Sequence, residues 1–538
     1  MTRFIMSAAM ALACFLLLAS GANATTFSFT CTGAAGELQP RLNGTSAWTV
    51  GGTAKPASGD TIEIDGTTNN AFCNGDIFVA TSGLTFRNHL GSEGVIPADI
   101  INGMFEVSGA HITIDGILML CTGCSPTTTN TTGLSGFGED GALALHDGAT
   151  VVLKNSVVAG SETSGIFLTR NSAISVVSSS IANNGQSGTG GGEFASGIFA
   201  GEGSSVRLGN PDGSGTVGIG GNGKSGGVCP GFGVFLAEGS SLTSFAANIG
   251  GAGTSTDVNS QNNCGQIMLQ GASSARIEGT TITQTTANFA ALQAFGGSSI
   301  VTTKNAASAV TTISSGANGA ILLGGAASAM FNSSTISSTG IAVAAVEAAA
   351  SSTIILASGN NISAATAGGI AFQVDHSSSL FQIQGTNFGF TNSAETVTGS
   401  AFIQVQSSMD VGTGLVGGLP SMNWTVPSGS CILVQQNSSF RMSGGVAIAG
   451  AAPAACALNG GTVSSTIVFQ QESNGFFNLS RGGTDNIGGG GGVSCLFAGM
   501  PNAHVTGKAN ISPAGAQPVI IGSWAAASTA TSPGCLGP

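Results

Sequence analysis

Gly165-Ile-Phe-Leu-Thr-Arg-Asn-Ser172, Gly197-Ile-Phe-Ala-Gly-Glu-Gly-Ser-Ser205, Gly233-Val-Phe-Leu-Ala-Glu-Gly-Ser-Ser241 and Gly265-Gln-Ile-Met-Leu-Gln-Gly-Ala-Ser-Ser274 are four versions of one unit. A small residue opens an apolar run, a short turn closes it on serine, and a second apolar run follows. Weaker copies begin at Gly141, Ala291, Gly319, Gly369, Ser400 and Cys431, with two more at Thr466 and Ser494. The first five copies start 24 to 36 residues apart. Apolar runs this short, bounded by Gly, Ser and Asn and lacking a 3.6-residue period, are strands. A period in this range marks a solenoid, in which each repeat buries its apolar face only against its neighbours. The expected fold is all-β, a parallel β-helix of about 12–14 coils.

The inward face follows from the alternation. Counting from the small residue, positions one and three are apolar: Ile166/Leu168, Val234/Leu236, Ile370/Phe372, Ile403/Val405, Ile432/Val434 and Ile467/Phe469. Position four is assigned to Gln373, Gln404, Gln435 and Gln470, and a buried unpaired amide is costly, so that position faces outward. With a period of two, positions one and three face the core. The serine pairs Ser204-Ser205, Ser240-Ser241, Ser273-Ser274, Ser298-Ser299 and Ser438-Ser439 are expected to stack at one corner.

Composition removes whole classes of function. The 538 residues include 86 Gly and no Tyr, and only 7% are charged, far below the share in an ordinary helical enzyme or coiled coil. A hydrophobic fraction of 42% excludes disorder, and 13 basic against 25 acidic residues exclude a phosphate-tracking surface, so nucleic acid is no partner. Residues 1–24 read as a secretory leader: Arg3, an apolar stretch from Ile5 to Ala19, and the small-x-small site Ala22-Asn23-Ala24. The mature chain has no transmembrane segment by this reading, and its destination is secreted, periplasmic or cell-surface. Cys14 lies in the leader, which leaves an even ten cysteines for an oxidising compartment. Spacing does not define connectivity; pairing neighbours gives Cys31–Cys73, Cys121–Cys124, Cys229–Cys264, Cys431–Cys456 and Cys495–Cys535.

Ser58-Gly59-Asp60-Thr61-Ile62-Glu63-Ile64 resembles the opening coil of right-handed parallel β-helix proteins of the pectate-lyase-like superfamily, and His111-Ile112-Thr113-Ile114-Asp115-Gly116 resembles their recurring coil motif. The resemblance covers residues 58–510 and implies the fold. The superfamily contains polysaccharide lyases, glycoside hydrolases, phage tailspikes and adhesins, and the chain lacks the Asp-rich polygalacturonase motifs and the basic pectate-lyase motifs. Residues 25–57 are expected to cap the first coil, and 511–538 to form a C-terminal tail or cap. Gly-rich insertions fall at 183–195, 209–231 and 250–264.

Two columns are candidate sites. Position five aligns His146, Arg170, Glu202, Glu238 and Gln270. Glu202 and Glu238, one coil apart, have the spacing of a two-carboxylate glycosidase, Arg170 suits an acidic sugar, and His146 supplies a proton. The same residues also read as a solvated charge ladder in which Arg170 pairs with Glu202. Position two aligns Phe167, Phe199 and Phe235, flanked by Leu143 and Ile267: an apolar ligand-binding patch, or a surface covered by the Gly-rich insertions. Asp115, Asp140 and Asp147 are a weak set for Ca²⁺, and no metal or cofactor is otherwise expected. His89, His376 and His504 are isolated in the sequence. Threonines such as those of Thr280-Thr281-Ile-Thr283 raise binding to ice or a crystal face, yet they hold no single register along the sequence. The reading is a non-catalytic exported scaffold that adheres to or binds a polymer such as polysaccharide; the alternative is a polysaccharide hydrolase or lyase using a carboxylate pair on neighbouring coils.

Overall fold

The structure of the chain, a computed structural model, describes most of residues 24–518. Outside the description lie 1–23, 67–71, 90–98, 122–140, 186–194, 224–230, 252–262, 451–466, 519–538 and shorter stretches between strands. From residue 450 onward the strands alone are described. The leader, most of the Gly-rich insertions, Asp140 and the C-terminal tail therefore lie outside the described residues.

The chain winds as a right-handed parallel β-helix. In one coil, Ser164–Leu168 lies in sheet one, Ala173–Val177 in sheet two and Ser180–Ala182 in sheet three. The next coil repeats the order with Ile198–Ala200, Ser205–Leu208 and Val217–Gly220, each parallel to its predecessor. All three ladders continue in this way to Cys495–Gly499, His504–Gly507 and Asn510–Ser512. The strands alternate as their residue types require. In sheet two, Val151, Ile174, Val206 and Leu242 stack inward. Sheet three carries an inward ladder of Ile181, Ile219, Ile249, Ile282, Ile313, Ile336 and Ile362, all buried. β-branched side chains suit such stacks, since one rotamer serves every coil. The result is one continuous core from Phe27 to Ile448.

At the N-terminus, Thr26–Thr30 adds a rung parallel to Thr61–Asp65. Phe27, Phe29, Leu38, Leu42 and Trp48 enter the same core, so apolar side chains cover the open end. Cys31 and Cys73 are bonded, with Cα atoms 5.0 Å apart. Cys121, Cys264 and Cys431 are also disulfide-bonded, while Cys124, Cys229, Cys456 and Cys535 lie outside the described residues.

Each corner has its own chemistry. Between sheets one and two, successive coils turn on two residues with positive φ, including Arg170 (54°) with Asn171 (58°), and Glu202 (52°) with Gly203 (75°). This conformation is unfavourable for a residue with a Cβ. A hydrogen-bond ladder between coils holds it, with the amides of Gly148, Asn171, Gly203 and Gly239 donating to the carbonyls of Arg170, Glu202, Glu238 and Gly271 at 2.8–3.0 Å. The serines after this turn stack as expected: the amides of Ser172, Ser352, Ser378 and Ser407 donate to the hydroxyls of Ser204, Ser378, Ser407 and Ser438. Between sheets three and one, Asn184, Asn222 and Asn263 form a buried ladder. Asn184 donates its backbone N–H and its side-chain amide to Asn222 Oδ1, and Asn222 does the same to Asn263 Oδ1, at 2.9–3.1 Å. Asparagine supplies both donor and acceptor, so each rung satisfies the next.

The corner between sheets two and three is also polar, and there the ladder stops. The amide of Ser334 donates to Asn360 Oδ1, and the amide of Asn360 donates to Glu395 Oε2 at 2.7 Å. Beyond Glu395 the next rung is Met422, which has nothing to offer. Glu395 Oε1 is buried without a hydrogen-bond partner, and burial pushes the carboxyl up to about 8.

The register corrects several placements made from sequence. Gly141 pairs with Ser164, not Gly165, so Leu143 stacks inward on Ile166. Ile267 stacks inward on Val234. Val405 is not in the core; it sits in the corner turn with φ 50°. Gln404 and Gln435 fall just past their strands, whereas Gln373 and Gln470 occupy the outward column.

Candidate functional site

The corner turn between sheets one and two forms an exposed ridge. Because Gly141 pairs with Ser164, the column containing Arg170, Glu202 and Glu238 continues backward to Asp147, not His146, and forward to Gly271, not Gln270. Asp147, Arg170, Glu202 and Glu238 are all exposed. Arg170 Nη1 lies 3.3 Å from Asp147 Oδ1. Arg170 also donates its backbone N–H to Glu202 Oε2 at 3.1 Å. A hydrogen bond from the Ser108 hydroxyl, then the Arg170 guanidinium, holds the Asp147 carboxyl below the ordinary carboxylate range. An exposed pair of this kind contributes little to stability. The ridge is a charge ladder in which Arg170 lies between Asp147 and Glu202, with Glu202 and Glu238 on consecutive coils.

His146 stands one residue earlier, on the outward side of sheet one with Ala144 and Phe167, and is buried there. It is 3% exposed, with Nδ1 2.8 Å from Thr169 Oγ1 and its ring 6.2 Å from that of Phe167. Burial, reinforced by Arg170 and opposed by Asp147 and Glu202, pushes the imidazole pKa down. His146 thus packs beside the ridge, against Thr169 and Phe167.

Phe167, Phe199 and Phe235 do form an outward ladder on sheet one, in direct register. Their neighbours are Ala144 and Met268, in place of Leu143 and Ile267. The rings stack at 4.9 Å and 5.7 Å, with planes 13° and 16° apart. The ladder is not an open patch: the three rings are 2–7% exposed and form a second apolar cluster with Phe232 and Met268, against which Phe289 and Phe295 pack.

A second titratable group escaped the sequence reading. Glu347 lies outward on sheet one, in register with Gln373, and burial together with Asp375 raises its pKa. Asp375 Oδ1 is 3.0 Å from His376 Nδ1 and accepts the His376 backbone N–H at 2.7 Å. The available signal was Glu347 itself, an acid at an outward strand position one coil before Asp375. Elsewhere, Asp115 is held by Lys154 at 2.9 Å and by Asn155, in sheet two and far from the ridge carboxylate Asp147. Among the described residues no group of three or more His, Cys, Asp or Glu is placed to hold a metal ion. A cleft of about 110 Å³, lined by Leu42, Lys55, Phe78, Val79 and Leu84, sits between the N-terminal segment and the first coils. It is smaller than a typical ligand pocket. No helix among the described residues is long and apolar enough to cross a membrane.

No family model matches the chain, and neither a curated protein sequence nor a solved structure matches it.

Proposed function

We propose that this protein is an exported β-helix scaffold that binds an extended polymer, a polysaccharide, at the cell surface or in the extracellular matrix without transforming it. The observation that carries the reading is the exposed ridge Asp147–Arg170–Glu202–Glu238, which offers one polar side chain per coil along a straight edge, about 4.8 Å apart. A repeating polymer laid along the ridge meets a repeating set of donors and acceptors. The secretory leader and the bonded cysteines suit an oxidising destination. The competing reading is a polysaccharide hydrolase. It draws on the consecutive carboxylates Glu202 and Glu238 or, separately, on Glu347 about four coils further along sheet one, whose raised pKa suits a general acid.

The test is co-sedimentation of the mature protein with a panel of insoluble polysaccharides, with reducing ends and unsaturated products recorded on the same samples. The scaffold reading expects binding that weakens at least fivefold in Arg170→Ala, with no product released. Product release abolished by Glu202→Gln, Glu238→Gln or Glu347→Gln replaces it with the hydrolase reading. Retention of no polysaccharide, or undiminished retention of Arg170→Ala, refutes the ridge as the binding edge.

A further inference from the structure

The outward side of sheet three changes character at Thr281. Over six consecutive strands its two outward columns read Thr281/Thr283, Thr312/Ser314, Thr335/Ser337, Asn361/Ser363, Thr396/Thr398 and Asn423/Thr425. The five pairings that join them run in strict register with no shift. The threonines that hold no common register along the sequence are thus aligned in space. All twelve side chains are exposed or partly exposed, ten carry hydroxyls, and none is charged. The hydroxyl pairs stop at Ala447 and Ala449 in the coil after, and in the coils before Thr281 the same columns hold Ser180/Ala182, Gly218/Gly220 and Asn248.

The other faces of the rod lack this property, so it is not a by-product of a Ser/Thr-rich chain. Sheet two has one hydroxyl column, from Ser205 through Ser439, but the column beside it is mixed and includes Arg207, Arg276, Met330, Phe381 and Asp410. Sheet one carries the Phe ladder and, later, Glu347 and Gln373.

We propose that this hydroxyl face, Thr281 to Thr425 on sheet three, binds ice. Its complementarity is that of an uncharged surface: an ionic polymer or an anionic membrane finds no counter-charge there, so the occupant is neutral. The array repeats in two dimensions, about 4.8 Å along the rod and about 6.6 Å along each strand, over a length of roughly 24 Å. A mesh of this kind rewards an occupant that is itself periodic in two dimensions, because small contacts sum across a crystal face. A hydroxyl donates and accepts, as lattice water does. Threonine has a restricted χ1, and the strand holds its backbone, so little freedom remains to be lost on binding. The twelve described face positions hold no aromatic ring to stack on a sugar, which favours ice over a crystalline polysaccharide.

The experiment uses the purified mature protein and slowly grown ice, recording partition into the ice and inhibition of ice recrystallisation. The expected result is enrichment in the ice fraction, lost in Thr396→Lys and Asn423→Lys, both at exposed positions. Ser408→Lys, exposed on sheet two in the same stretch of chain, retains it. Far-UV circular dichroism verifies that each variant is folded. Exclusion of the wild-type protein from ice overturns the proposal without reference to any variant. Face variants that partition like wild type overturn it as well, and so does wild-type protein that ignores ice while binding an insoluble neutral polysaccharide in a way Thr396→Lys abolishes. Ridge variants such as Arg170→Ala leave ice partition unchanged, which separates this proposal from polymer binding at the ridge.

Discussion

Glu395 makes this helix sensitive to pH in a direction opposite to most proteins. It continues the corner ladder below Asn360, one oxygen accepts the Asn360 amide at 2.7 Å, and the other is buried without a partner because Met422 forms the next rung. Desolvation raises its pKa from 4.5 to about 8. A carboxyl raised on folding binds its proton more tightly in the native state. Its stabilising contribution is therefore complete below about pH 4.5 and is lost as the pH climbs through 8. At about 1.4 kcal/mol per pH unit, the loss across that window amounts to roughly 4–5 kcal/mol. Glu395→Gln keeps an oxygen for the Asn360 amide and removes the titration. Unfolding entropies of about 2.1 cal/mol/K per residue make this a Tm difference of about 4 °C for a chain of this size melting as one unit. Thermal melts of wild type and variant from pH 5 to pH 9 should nearly coincide at pH 5, diverge progressively up to about pH 8 and stay apart at a constant difference above it, with the variant the more stable. Two curves that fall in parallel across the whole range would refute the assignment of Glu395 as a buried acid.

The other polar ladder should be costly to interrupt. Asn222→Leu keeps the volume but orphans the Asn184 amides, the Ile181 carbonyl and a lone pair of Asn263, so urea unfolding should show a loss of about 3–5 kcal/mol. Phe199→Ser removes a buried ring from between two others and should lower stability by about 3–4 kcal/mol with no ligand present; an unchanged melt would place Phe199 in solvent instead. Replacing Cys31 and Cys73 by Ser frees a loop of 42 residues, worth about 4 kcal/mol in chain entropy. Hydrogen exchange should then speed up in Thr26–Asp65 and leave coils beyond Ala173 untouched, since each coil leans only on its neighbours.

The repeat of Gly165, Gly197, Gly233 and Gly265 was enough to define the solenoid, because short strands at one period have few other ways to bury their apolar side. Alternation was enough to send Ile166, Leu168, Val234 and Leu236 inward and Phe167, Phe199 and Phe235 outward, since a strand's period of two is a local property. None of these requires knowing which residue lies above which.

Every feature decided by tertiary structure depends on that vertical pairing. An offset of one residue at Gly141 brings Asp147 into the charged ridge and takes His146 out of it, against Thr169 and Phe167. Coils of unequal length conceal the alignment of Thr281, Thr312, Thr335, Asn361, Thr396 and Asn423, which lie side by side only once the intervening turns have closed. The partners of Asn222 and the missing partner of Glu395 also lie a full coil away. Inter-coil register is set by hydrogen bonds between residues some 23 to 41 positions apart and by the fit of the shared core, so neither spacing nor composition along the chain records it.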